Sequence, residues 1–192
     1  MKLEEYLSEN VHISKEIISE IIQAGKRKTF SKGELILPAD NLSQKVFFIE
    51  QGLVKMFYHK DERSITHYFF KENEFITRSE NFYEYLRREK KSVYGLTALE
   101  HGTTIFEFPF EVISPKSDIS AEMSFLIQKI LLDVLRGFSN KLNSIQFENA
   151  QERYEQLLST QPEIILRAPL GDIASYLGIS QQTLSVIRSQ IK

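Results

Sequence analysis

The stretch from Arg167 to Lys192 constrains the chain more than any other. Leu170, Ile173, Ala174 and Leu177 recur at spacings of three and four, Gly178 interrupts, and a second apolar set follows at Ile179, Leu184 and Ile187. This pattern predicts two short helices around a tight turn. Pro169 suits the entrance of the first helix, where its missing N–H would have no helical partner. Gly178 suits the exit, where a left-handed residue satisfies the last carbonyls. Ser180 can cap the second helix and leaves Gln181, Gln182 and Thr183 on its first turn. Helix-turn-helix units are built this way, and in them the second helix carries base-reading side chains.

The rest of the chain must supply the context for that unit. With 192 residues, 42% of them hydrophobic, it can bury one large core and a small satellite domain. The absence of cysteine removes disulfides, thiolate zinc sites and cysteine-ligated iron–sulfur clusters. No apolar run has the length of a signal peptide or a membrane span, so a soluble, cytoplasmic protein is expected. The net charge of −2 lacks the basic excess that announces nucleic-acid binding by itself.

Along the chain, Ile17, Ile18, Ile21 and Ile22 predict a helix from Ser14 to Ala24, capped by Ser14 and stopped by Gly25. Lys26, Arg27 and Lys28 could face a phosphate, but read first as solvated cations that complement the helix dipole. Short β-rich runs follow at 34–37, 46–49, 53–58, 65–70, 93–99 and 103–108, with tight connections at 50–52 and 100–102. They predict an antiparallel sandwich or barrel whose many aromatic residues fill the core. A polar interruption at 77–92, with Arg78, Tyr83, Tyr85, Leu86, Arg87, Arg88, Lys90 and Lys91, is expected to include a short helix.

From about Ser120 to Phe147 the period is helical, with Asp118 or Ser120 as cap. One stripe runs Leu131, Leu135, Phe138, Leu142, Ile145, and a second row runs Met123, Ile127, Ile130, Val134. Two rows are too broad for one packing face, so this helix is expected to pack on its own β domain and on a second copy. Ile127, Leu131, Val134, Leu135, Phe138, Leu142 and Ile145 are the candidate dimer residues. Gly137 inside the helix would permit a close approach or a bend.

The order of elements resembles the Crp/Fnr family of bacterial transcription regulators over essentially the whole chain. The matching residues are Glu152-Arg153-Tyr154 with Leu157-Leu158, Arg167-Ala168-Pro169, Ile173-Ala174-Ser175-Tyr176-Leu177-Gly178-Ile179, and Thr183-Leu184-Ser185 with Ile187-Arg188. Phe30-Ser31-Lys32-Gly33-Glu34 and Phe48-Ile49-Glu50-Gln51-Gly52-Leu53-Val54 look like early strands of that family's cyclic-nucleotide-binding-like roll. The resemblance implies an α+β protein: a β-roll sensor domain over 1–118, a long dimerisation helix over 119–148 and a helix-turn-helix domain over 149–192. It implies a homodimer that binds double-stranded DNA, with RNA polymerase as a further partner and a small-molecule effector in the roll.

Two departures from the family pattern shape the site. Cyclic-nucleotide-binding members carry a Gly-Glu start and an Arg-Ser or Arg-Thr pair, where this chain has Asn73-Glu74-Phe75 and Lys91-Ser92-Val93. Lysine lacks the bidentate grip of a guanidinium, and no obvious carboxylate stands ready for a ribose hydroxyl, which argues against cyclic AMP. Phe75, Arg78, Lys91, Ser92 and Tyr94 are the candidate effector residues. In the reading helix, Val186 stands where many members place an arginine. Gln181, Gln182, Ser185, Arg188 and Ser189 remain as the reading side chains, Arg167 or Arg188 joins helix N-termini in holding phosphates, and Ser180 and Thr183 complete the candidate DNA-binding set.

Other classes find less support. Glu72 with Glu74, or His67 near Tyr68, could form acid–base pairs, yet nothing in one sequence makes them converge, so no enzyme is expected. His12, His59, His67 and His101 show no metal-ligand spacing. A second reading stays open: a β-roll ligand-sensing or protein-interaction module with a vestigial helix-turn-helix. In its favour, Arg153, Arg167, Arg188 and Lys192 are matched by Glu152, Glu155, Glu163 and Asp172, and Val186 weakens the reading surface.

Overall fold

The computed structural model describes residues 1–82, 90–114 and 119–191. Two N-terminal helices, α1 (Leu3–Tyr6) and α2 (Lys15–Ala24), flank a π-helical turn at Leu7–Val11. The strands that follow are β1 (Lys26–Phe30), β2 (Leu35–Leu37), β3 (Lys45–Gln51), β4 (Val54–Lys60), β5 (Arg63–Phe70), β6 (Phe75–Thr77), β7 (Gly95–Ala98) and β8 (Thr103–Pro109). They form two antiparallel sheets in the orders β1-β8-β3-β6 and β2-β7-β4-β5. The expected antiparallel roll is therefore present, with tight connections at 52–53 between β3 and β4 and at 99–102 between β7 and β8.

Strand β3 explains why the roll has layers outside it. Its run Val46-Phe47-Phe48-Ile49 is buried on both faces rather than alternating. Phe47 and Ile49 point between the sheets toward Val54, Ile76, Leu96 and Ile105. Val46 and Phe48 point outward, where Leu3, Tyr6, Leu7 and Ile21 of the N-terminal helices cover them. A strand buried on both faces needs a continuous apolar run, and this one has it.

The long helix α3 (Ala121–Phe147) completes that outer layer. Ser120 caps it, its side-chain oxygen accepting the Met123 N–H at 3.2 Å. Met123, Leu126 and Ile130 are sealed against Phe48, Phe106, Phe108 and Phe110. Burial of a side chain such as Leu126 contributes roughly 1.5–3 kcal/mol. Glu122 adds a tie, accepting the backbone N–H of Ser14 at 2.9 Å. Four helices follow: α4 (Ala150–Thr160), α5 (Pro162–Arg167), α6 (Leu170–Leu177) and α7 (Gln181–Gln190).

Several expectations change. Lys26, Arg27 and Lys28 lie in strand β1, not at a helix end, and they are paired. Arg27 Nε donates to Glu50 at 2.9 Å, and Lys28 lies 2.9 Å from Glu107, both carboxylates being nearly buried. Helix α1 and strand β6 were not anticipated. Of the short helix expected in 77–92, a 3₁₀ turn at Ser79–Phe82 is present. Tyr83, Tyr85, Leu86, Arg87 and Arg88 lie outside the described residues, as does Asp118. Among the described residues no helix is long and apolar enough to cross a membrane.

Candidate nucleic-acid interface and effector cavity

The helix-turn-helix forms as its sequence dictates. Gly178 adopts φ +70°, a conformation that costs glycine little, and its N–H and that of Ile179 close onto the carbonyls of α6. Ser180 Oγ accepts the Thr183 N–H at 3.0 Å and starts α7. Leu184 and Ile187 bury α7 against Ile173, Ala174 and Leu177. Arg153 buttresses the pair from α4, donating to the carbonyls of Leu177 at 3.0 Å and Glu148 at 2.7 Å. That role uses the guanidinium for scaffolding.

On the opposite face of α7, Gln181, Gln182, Thr183, Ser185, Val186, Arg188 and Ser189 are all exposed, as is the cap Ser180. The hydroxyls of Ser180 and Thr183 face each other at 2.9 Å. Gln181 leans back over Gly171, where a Cβ would come within 2.6 Å of its Nε2. The exposed polar face is the one the sequence assigns to base edges.

Arg167 departs from its expected role. It sits on the last turn of α5 and grips two carboxylates of the β roll. Nη1 and Nη2 donate to Glu72 at 3.0 and 2.7 Å, and Nε and Nη2 donate to Glu100 at 2.8 and 2.7 Å. Burial pushes the Glu72 carboxyl up, but hydrogen bonds from Arg167 and from the Gly52 N–H overcome it and hold it down at about 2. The Arg167 hydrogen bonds also lower Glu100, against a smaller effect of burial. In this arrangement Arg167 is not presented to phosphate.

The same junction carries further contacts. Lys55 meets Asp172 at 2.6 Å, the Thr66 N–H donates to Ser175 Oγ at 2.9 Å, and Lys71 pairs with Glu163. Between them Leu53, Phe69 and Leu99 of the roll merge into the apolar core of α4–α7. The helix-turn-helix unit is thus docked on the roll through an apolar centre with a charged rim. One sequence carries little trace of pairs so far apart along the chain.

Beside the junction lies a cavity of about 720 Å³ between the roll, α3 and the helix-turn-helix. Phe75, Arg78, Ser92 and Tyr94 are among its lining residues. Lys91 is not: it is exposed and outside the wall. Arg78 is turned into the protein, donating to the carbonyls of Ser43 at 3.3 Å and of Lys90. The wall also includes Glu74, a carboxylate absent from the expected set, together with His67 and Lys141. Burial pushes Glu74 up to about 7, with the Lys71 N–H and charge opposing and Asp133 and Glu163 adding. Burial brings the Lys141 ammonium down to about 8, helped by Arg153, and also lowers His67. Lys141 lies 3.6 Å over the Tyr176 ring and donates to the Tyr176 carbonyl, so this wall touches α6 directly.

The two apolar rows of α3 separate. Leu131, Leu135, Phe138, Leu142 and Ile145 are exposed, Leu135 by 64% and Ile145 by 61%, and Leu132 joins them at 64%. Ile127 instead packs on the chain's own core, and Val134 lines the cavity, so these two turn away from the stripe. Gly137 permits a close approach, with Tyr68 Oη 3.1 Å from where its Cβ would stand.

No family model and no curated protein sequence matches the chain. Solved structures do match it in shape. A CooA mutant from Carboxydothermus hydrogenoformans superposes with a TM-score of 0.70 at 18% identity, covering 98% of this chain and 82% of that one. The c-di-GMP-responsive global regulator CLP of Xanthomonas campestris gives 0.70 at 14% identity, covering 93% and 91%. FixK2 from Bradyrhizobium japonicum gives 0.69 at 17% identity, covering 87% and 84%. From the roll to α7, this chain has the fold of the Crp/Fnr regulators.

Proposed function

We propose that the chain is a homodimeric, sequence-specific DNA-binding transcription regulator whose roll cavity takes an effector other than cyclic AMP. The observation that carries this reading is α7, which buries Leu184 and Ile187 and offers Gln181, Gln182, Ser185 and Arg188 to solvent. Glutamine can pair with adenine N6 and N7, and arginine with guanine or phosphate. The exposed stripe from Leu131 to Ile145 is the surface for a second copy, since an apolar row of this length is costly to leave in water. The position of Lys91 outside the cavity favours an effector other than a cyclic phosphate.

Selection of bound sequences from random duplex DNA tests this reading. An imperfect palindrome is expected, with half-site centres roughly 34–36 Å apart or a multiple of it. Recovery of unenriched sequence would instead support the ligand-sensing or protein-interaction module, with α7 vestigial.

A further inference from the structure

We propose that Glu72 and Glu100 of the roll compete with DNA phosphate for Arg167, so that the docked reader is the state of lowered DNA affinity. The inference rests on the DNA-reading function proposed above. Its ground is the geometry of the grip: all three guanidinium nitrogens donate, in four hydrogen bonds, to the two carboxylates. Paired donation to oxygen is also how a guanidinium holds phosphate, so one occupant excludes the other. One cation facing two carboxylates leaves this junction net negative, and a phosphate approaching α5 and α6 is repelled.

The reader has few other cations with which to compensate. Arg153 is committed to the carbonyls of Leu177 and Glu148, leaving Arg188 as the exposed arginine of α7. Freeing Arg167 would therefore change the reader's positive charge substantially. The seam itself is of a kind that opens. Leu53, Phe69 and Leu99 make a small apolar centre, and ion pairs Lys55–Asp172 and Lys71–Glu163 surround it. Interdomain seams of mixed polarity permit relative motion. The cavity shares Lys71 and Tyr176 with this seam, so an occupant there would touch the junction that holds Arg167.

The chain has no cysteine, so Lys60→Cys with Gln190→Cys places one spin label on the roll and one at the end of α7. In that background Glu72→Gln with Glu100→Gln should broaden the label-to-label distance distribution. Without labels, the same double variant should bind a selected duplex about tenfold tighter. The slope of log affinity against log salt should steepen by about one, as expected for one more phosphate contact. Adding Arg167→Gln should cancel both gains, with thermal unfolding confirming that each variant is folded.

An unchanged distance distribution overturns the proposal, as does affinity that stays equal or falls. A gain that survives Arg167→Gln overturns it too, because it would reflect loss of acidic charge alone. If no protein binds any duplex, the competition falls together with the DNA-reading function. The distance measurement then still reports by itself whether the two carboxylates hold the reader to the roll.

Discussion

Two sets of apolar residues on α3 have opposite surroundings. Met123, Leu126 and Ile130 are sealed by the roll and the N-terminal helices, whereas Leu132, Leu135, Phe138, Leu142 and Ile145 face water. The first set is satisfied within one chain, and the second is the surface proposed above for a second copy. The same division separates the scaffold of the helix-turn-helix, buried through Leu184 and Ile187, from its exposed polar face. Substitutions on the satisfied side should cost folding, and those on the waiting side should cost association.

The largest contrast is expected at the stripe. Leu135→Glu with Leu142→Glu places two charges where a second copy would have to desolvate them. The dimer dissociation constant should rise by about a thousandfold or more, about 4 kcal/mol. Sedimentation would show monomers, with helical circular dichroism retained because both positions are exposed in one chain. Loss of the fold, or an intact dimer, would break the comparison. On the satisfied side, Leu126→Ala should cost about 3 kcal/mol of folding free energy, within the range for fully buried leucines. Denaturant titration of a monomeric background isolates that cost from association.

These contrasts also mark what could be read from one sequence. Pro169, Gly178 and Ser180 specify the helix-turn-helix locally, through a missing N–H, a left-handed exit and a side-chain cap. Strands β2, β3, β4, β5, β7 and β8 were legible for the same reason, since turns and β-rich runs are local signals. Arg167 and β1 were not. Glu72 and Glu100 stand 95 and 67 residues from Arg167, and Lys28 finds Glu107 only because β1 pairs with β8. In the sequence those cations look like solvated or phosphate-binding charge. The separation of Ile127 and Val134 from the stripe depended likewise on where the roll lies.

Two neighbouring carboxylates should titrate in opposite senses. Glu74 is raised to about 7 by burial, faced by Lys71, Asp133 and Glu163, so the folded state holds its proton more tightly than the unfolded chain. Stability from this group is full below about 4.5 and is lost as pH rises through about 7, on the order of 3 kcal/mol. Glu72 is depressed to about 2, so its contribution is present above about 4.5 and lost as pH falls toward about 2. Glu74→Gln should flatten the loss toward pH 8 while leaving the acid limb intact. Unfolding midpoints from pH 3 to 8 would show it, and an unchanged alkaline limb would count against the buried proton.

The smallest effect is expected where the satisfied and waiting sides meet, at Gly171. Replacing it with alanine favours the α6 helix by up to about 1 kcal/mol, because glycine loses more backbone freedom on folding. The new Cβ, however, would come within 2.6 Å of Gln181 Nε2, the far end of a flexible side chain that can swing aside. Folding should therefore be unharmed or improved. Discrimination at the base read by Gln181 should fall severalfold, since a displaced amide loses part of a contact worth about 1–3 kcal/mol. Binding to single-base variants of a selected site would reveal this, with Gln181→Ala setting the full loss. Equal discrimination in all three proteins would remove Gln181 from the reading set and leave Gln182, Ser185 and Arg188 to carry it.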